Sequence, residues 1–242
     1  LAESVVLRGQ ILEQLNELEA AIQVYTNNLA DTVPAERRRQ AFLKTIELTL
    51  GQDRVLDAAR KLETFFAQYP QEAGSDVALL TLGELHLKQS LAASQTNTVG
   101  TASNAVLEAT NHLLAALGQF DKLIVTFTNS PLLAKAHLNR GWCLWLNGNL
   151  AQSAIAFETA VEQLHFSEDQ AVARMKLADA QFKQGDFTNA LQNYRAVRSD
   201  FARLPRVKDS LGMQALYQIV RANLELGDLA GATAAMWEVL RD

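Results

Sequence analysis

Small and large apolar side chains follow one another along this chain in a fixed register. A small residue is followed four positions later by a large apolar one at Ala21/Tyr25, Ala58/Leu62, Ala116/Phe120, Ser153/Phe157, Ala190/Tyr194 and Ala232/Met236. Twelve positions upstream of five of these pairs stands a second series, Gly9, Ile46, Gly141, Ala178 and Val220. Apolar residues between them recur with helical spacing. Leu138, Trp142, Leu144, Trp145 and Leu146 precede Gly148-Asn149, and Ala154, Ile155, Phe157, Ala160, Val161 and Leu164 follow it. Gly185-Asp186 and Gly227-Asp228 make the same break. Glycine suits the left-handed end of one helix and Asp or Asn the cap of the next. Each unit is therefore predicted to be a helical hairpin. Ser167-Glu168-Asp169-Gln170 has the form of a capping box, and Ser130-Pro131 puts proline at a predicted first helical position.

The spacing organises the whole chain. Ala116, Ser153 and Ala190 stand 37 residues apart, as do Gly9, Ile46 and Gly83. The step from Ala58 to Ala116 is longer, and so is that from Gly83 to Gly141, which locates an insertion between Gly83 and Ala116. It contains the tract Ser94 to Asn104, whose Ser, Thr, Asn and Gly content favours a loop. Leu87, Leu91, Val106 and Leu107 are placed to lengthen the flanking helices. A surface insertion is expected, with a partner-contacting flap as the alternative. A second, shorter interruption lies around Asp200 to Asp209, where Pro205 must end or begin a helix. Arg195, Arg198, Arg203, Arg206 and Lys208 make that junction basic, and a solvated face is expected there. Fixed-period self-similarity means that each unit packs mainly on its neighbours. The small residues let paired helices approach, as at Gly141 opposite Ser153 and Ala178 opposite Ala190. The large residues are expected to fill the space between one hairpin and the next.

These residues resemble the tetratricopeptide repeat. Gly141, Leu144, Gly148, Ser153, Phe157 and Ala160 follow that family's signature in order, as do Ala178, Gly185, Ala190 and Tyr194. Ile46 and Val220 depart from it, and Gly51 sits two places early. The resemblance implies an all-α, right-handed superhelical solenoid of six hairpins forming one array over 1–242. The repeats fall at about 2–35, 39–72, 76–130 (with the insertion at about 91–104), 134–166, 171–204 and 213–242. It also implies a scaffold or adaptor that binds a protein or peptide in a groove lined by the first helices. Carried-over groove positions are Leu80, Glu84, Leu87 and Lys88; Lys135, Leu138, Trp142, Trp145 and Leu146; Met175, Asp179, Phe182 and Lys183; Tyr217, Arg221 and Leu224. Trp142 and Trp145 share a helix face and are the leading anchors, because tryptophan buries much area with few torsions to freeze. Packing between adjacent first helices is the alternative for Trp145. Asp179, Lys183 and Arg221 would set register and charge selection. Phe65-Phe66-Ala67-Gln68-Tyr69-Pro70 and Phe127-Thr128-Asn129-Ser130-Pro131 resemble junctions in tetratricopeptide lipoproteins and periplasmic proteins of bacterial envelope assembly. This prefers the periplasm or cell envelope over the cytoplasm.

Composition narrows the chemistry. A net charge of −5 argues against a grip on nucleic acid, which needs a basic surface. No apolar run is long enough for a direct membrane span. Cys143 is the only cysteine, so neither an internal disulfide nor a cysteine-cluster metal site forms, and a buried structural thiol is expected. His86, His112, His137 and His165 have no metal-ligand spacing, and His86 and His137 fall at framework positions. Arg37-Arg38-Arg39 reads as a solvated helix face. No cofactor, metal or catalytic residue is expected. The other role weighed is a structural or oligomerisation arm of a larger envelope protein, of which this chain, opening at Leu1, would be a segment.

Overall fold

A computed structural model describes residues 2–70, 74–95 and 102–241, and among these no strand occurs. Twelve α-helices follow in order: α1 (Ala2–Gln14), α2 (Leu18–Thr26), α3 (Ala35–Gly51), α4 (Val55–Gln68), α5 (Ser75–Gln95), α6 (Ala102–Thr126), α7 (Leu133–Leu146), α8 (Leu150–Gln163), α9 (Glu168–Lys183), α10 (Phe187–Asp200), α11 (Met213–Glu225) and α12 (Leu229–Val239). This is an all-α repeat fold. The chain divides into two compact units, Leu1–Gln89 and Ser90–Asp242, and within each unit helices pack on their neighbours in sequence. Helices α5 and α6 run to 21 and 25 residues, against 9 to 17 in the others. The apolar residues flanking the insertion therefore do extend both helices. The middle of its polar tract, 96–101, lies outside the described residues.

The repeat pairs build the core. Ala21/Tyr25, Ala58/Leu62, Ala116/Phe120, Ser153/Phe157 and Ala190/Tyr194 are all buried. The aromatic member does more than the sequence suggested. A Cβ on Gly141 would stand 2.6 Å from the Phe157 ring, and one on Gly9 would collide with Tyr25. Each ring thus lies against the small residue of its own hairpin. Phe157 also joins Leu138, Ala160, Ala173 and Leu177, which carries the contact into the next hairpin. Ser153 Oγ donates to the Gly141 carbonyl at 3.0 Å, so the close helix approach satisfies a buried hydroxyl as well.

Among the described residues the hairpin turn recurs five times with one backbone geometry. Gly148, Gly185 and Gly227 have φ of +77°, +82° and +74°, and Asn16 and Asp53 hold the same left-handed conformation at 59° and 58°. In each, the left-handed residue donates its N–H to the carbonyl three back, and the next residue donates to the carbonyl five back. Examples are Gly148 to Trp145 with Asn149 to Leu144, and Asp53 to Leu50 with Arg54 to Thr49. This is the Schellman pattern. Asn149, Asp186 and Asp228 then cap the following helix with their side chains. Gly51 is simply the last residue of α3, and Asp53 makes the turn, so this second hairpin keeps the common geometry.

Three local expectations change, and a fourth, a helix beginning at Pro205, is met. Pro131 lies in a turn two residues before α7, where Ser130 Oγ accepts from Leu132 N–H, because the helix starts only at Leu133. Ser167 caps α9, but Gln170 completes no capping box: its amide donates instead to the Val161 and Leu164 carbonyls at the end of α8. Pro205 begins a helical segment that passes through a π-helical turn, Val207–Gly212, into α11. Arg38 is buried rather than solvated, its guanidinium 4.4 Å over the Tyr69 ring, while Arg37 pairs with Glu3.

Candidate functional site

Helix α9 sets the site through the face it leaves free. Ala171, Ala173, Leu177, Ala178 and Ala180 are buried against neighbouring helices. Positions 176, 179 and 183 share another face, on which Lys176 and Asp179 are half-buried and Lys183 is exposed. Lys176 donates to Asp179 at 2.7 Å, and the other oxygen of Asp179 accepts from Tyr194 OH at 2.8 Å. Burial and the neighbouring Asp179 charge push the Tyr194 phenol far above its ordinary value, so it stays a donor. Asp179 is thus tied on both oxygens.

Around this network lies a cleft of about 420 Å³. Its apolar walls are Trp145, Phe182 and Phe187, the two phenylalanines meeting edge to face at 5.1 Å. Lys183 Nζ stands 4.2 Å over the Trp145 ring, and the Arg221 guanidinium stands 4.7 Å over Phe182. Among the described residues neither cation makes an ion pair; Arg221 donates to Gln218 at 3.1 Å. Gln218 and Glu225 complete the rim from α11. Trp142 adjoins the cleft, edge-on to Phe157 and 5.0 Å from Lys176 Nζ.

Five residues expected in a groove, Trp145, Asp179, Phe182, Lys183 and Arg221, meet here. Trp145 lines the cleft and, like Trp142, also packs against the cluster of Leu138, Phe157 and Leu177, so the packing alternative holds for part of its surface. Leu138 and Met175 do not belong to any open face. Both are buried, because the position three before the small residue of a first helix points into the seam with the next hairpin. Tyr217, at the same position in α11, is exposed and lies outside the cleft lining. Lys135 is held by Asp169 at 2.6 Å, and Leu146 and Leu224 are exposed. In the first unit Leu80 is buried, Glu84 and Leu87 half-buried and Lys88 exposed. Phe187, Gln218 and Glu225 of the lining were missed, as was Lys176, which holds Asp179. Lys176 was the legible one: it lies three before Asp179 and seven before Lys183, on their face.

Other chemistry is not assembled nearby. Among the described residues no group of three His, Cys, Asp or Glu could hold a metal, and no helix is long and apolar enough to cross a membrane. Burial pushes the Cys143 thiol up to about 12, the state of an unreactive structural cysteine. Burial also lowers His137 from its ordinary value.

Comparison with known proteins agrees with this architecture. The tetratricopeptide repeat profile matches residues 106–167 and 175–240, and a second tetratricopeptide repeat profile matches 2–27. The chain belongs to the tetratricopeptide repeat family. Proteins of this family are in general non-catalytic scaffolds for protein interaction, and that general role is the one this fold serves. No curated protein matches the sequence. Among solved structures, a tetratricopeptide repeat protein from Parabacteroides merdae is similar at a TM-score of 0.58 and 12% identity, over 99% of this chain and 79% of that one. Pseudomonas aeruginosa pilF is similar at 0.57 and 16%, over 99% and 90%. PilW, a widely conserved type IV pilus biogenesis factor, is similar at 0.52 and 14%, over 100% and 93%. At these identities the likeness is one of fold.

Proposed function

We propose that the second unit binds a polypeptide segment along the face of α7, α9 and α11. An apolar side chain of that segment would enter the cleft between Trp145, Phe182 and Phe187. Acidic residues flanking it would meet Lys183 and Arg221. The observation that carries this reading is two unpaired cations stacked over the aromatic walls of one cleft, on a chain whose net charge is −5. Stacking holds both cations at the rim, so little is lost in ordering them when a carboxylate arrives. Asp179, already bonded twice, serves to fix Lys176 and Tyr194 and does not select the ligand. The role is that of a non-catalytic adaptor without cofactor, metal or nucleic acid. Service in a bacterial periplasm or cell envelope is the favoured setting. The inter-repeat junctions support it, as does the fold shared with a pilus biogenesis factor.

The test is affinity capture from native extract with the wild-type chain and with the double variant Lys183→Glu/Arg221→Glu. The expected result is a protein recovered by the wild type and lost at least tenfold by the variant, with helix content by circular dichroism unchanged. Equal recovery by both would remove the cleft from partner binding. Trp145→Ala should cause a comparable loss, since a buried tryptophan anchor is commonly worth 2 kcal/mol or more, roughly thirtyfold.

A further inference from the structure

Repeats four, five and six differ at one pair of positions, twelve residues apart, on the two helices of a hairpin. Repeat four pairs Leu144 with Ala156, both buried. Repeat five pairs Gln181 with Asn193, whose Nδ2 donates to Gln181 Oε1 at 2.9 Å. Repeat six pairs Asn223 with Ala235. Apolar meets apolar, then amide meets amide, and then an amide meets a methyl group. Asn223 is fully buried. Its Nδ2 donates to the Ile219 carbonyl at 2.8 Å, and among the described residues its Oδ1 accepts from no group. Turning the amide over would set its oxygen against the Ile219 carbonyl, so no flip relieves it. A buried acceptor left in this way is costly, and its donor must come from elsewhere.

The same change opens a cleft. About 420 Å³ lies between α10 and α12, with α11 as the floor. Leu216 and Ile219 line the floor beside Asn223, Ala234 and Ala235 line one wall, and Arg195 stands on the other. Gly231 also lines it, and a Cβ there would stand 2.9 Å from Asn223 Oδ1, so that oxygen points at the bare backbone of the α12 wall. Gly231 and Ala235 are four apart and adjacent on one helix face, so a donor lodged against them reaches Asn223. Arg195 is exposed and makes no ion pair among the described residues, whereas Glu238 holds Arg198 at 3.3 Å. This cleft is separate from the one lined by Trp145 and Phe182, and stacking of a further hairpin does not close such a surface. The counterparts of Gly231, Ala234 and Ala235 in α10 are Asn189, Gln192 and Asn193, and they stay exposed or half-buried although a hairpin follows.

We infer that the cleft between α10 and α12 binds a small carboxylate that carries an amide N–H, of the class of N-acyl amino acids. The carboxylate pairs with Arg195, the N–H donates to Asn223 Oδ1, and an apolar side chain lies over Leu216 and Ile219. A neutral amide is the fitting donor, because an ammonium group would enter beside Arg195 and Arg198. Isothermal titration calorimetry of the whole chain with N-acetyl-L-leucine tests it. The expected result is saturable one-to-one binding in the millimolar range or tighter, as a ligand of this size allows. Arg195→Gln should weaken it about tenfold, and so should using N-acetyl-L-leucinamide, which lacks the carboxylate, or the analogue methylated on the amide nitrogen, which lacks the N–H. Arg60→Gln, at an exposed arginine of α4, should change nothing. Ala235→Asn restores the donor that repeat five has and fills the cleft, so it should abolish binding while raising the thermal midpoint. No saturable binding by the wild type would overturn the proposal, as would binding that Arg195→Gln or Ala235→Asn leaves intact. A longer peptide ending in leucine should bind no better, and a tenfold gain would overturn the small-molecule reading in favour of a polypeptide terminus.

Discussion

Gly141 shows what a single residue contributes to this fold. Its missing side chain is the space that the Phe157 ring occupies, and its carbonyl is the acceptor that keeps the buried Ser153 hydroxyl bonded. Adding one methyl at 2.6 Å from a fully packed ring forces the ring or the helix to move. Gly141→Ala is expected to destabilise by about 1–3 kcal/mol, the usual cost of overpacking. Gly118 is the contrast. It lies within α6, exposed, with no atom near the site of an added Cβ. Gly118→Ala is expected to stabilise by about 0.5–1 kcal/mol, by removing backbone freedom from the unfolded chain. Urea denaturation of the two variants against wild type measures both signs. The first glycine was legible from its place in the repeat register, twelve before Ser153. The ring that fills its space was not, because a one-dimensional register does not say whether Phe157 turns toward its own hairpin or the next.

At the scale of the element, the hairpin turn is a backbone object before it is a sequence motif. Three of the five turns announce themselves as Gly followed by Asp or Asn. Asn16 and Asp53 adopt the same left-handed conformation and the same pair of hydrogen bonds without a glycine. They were missed because Asn and Asp tolerate that conformation at modest cost and are common elsewhere. The same reasoning predicts an asymmetry under substitution. Asp53→Gly relieves the residual strain and should raise the thermal midpoint, by a free energy of about 1 kcal/mol or less. Gly185→Ala introduces a Cβ at φ +82° and should lower it by about 1–2 kcal/mol. Opposite signs in a calorimetric comparison are the expected outcome. Helix starts were less legible than helix ends. Pro131 and Gln170 both stand where local rules put a helix signal. The turn before α7 and the carbonyls at the end of α8 claim them instead, and those partners lie beyond the reach of a four-residue pattern.

For the whole molecule, the repeat register gave the architecture, whereas the candidate site needed the rotation of each helix about its axis. The difference between Met175, in the core, and Lys176, bonded to Asp179 beside the cleft, is one residue. Only packing against both neighbouring helices decides it. The same burial sets how stability responds to pH in both units. Tyr25 in the first unit and Tyr194 in the second are held far above their ordinary value of 10.0, mainly by desolvation and with help from Glu13 and Asp179. Cys143 is raised from 9.0 to about 12, also mainly by desolvation. In each case the fold favours the neutral form, so the folded value exceeds the unfolded one. Their contribution is complete below the unfolded values and is lost as pH rises through them toward the folded values. His137 is the reverse: lowered by burial, it contributes fully above its ordinary 6.5, and the contribution is lost as pH falls below that. Among these groups the first to act on the alkaline side is Cys143. The urea midpoint of the wild type should begin to fall near pH 9. That of Cys143→Ala, measured against its own neutral value, should hold until the tyrosines take over about one pH unit later. A wild-type midpoint level through pH 11 would show that these groups are solvated in the folded chain, and would contradict the packing of both units.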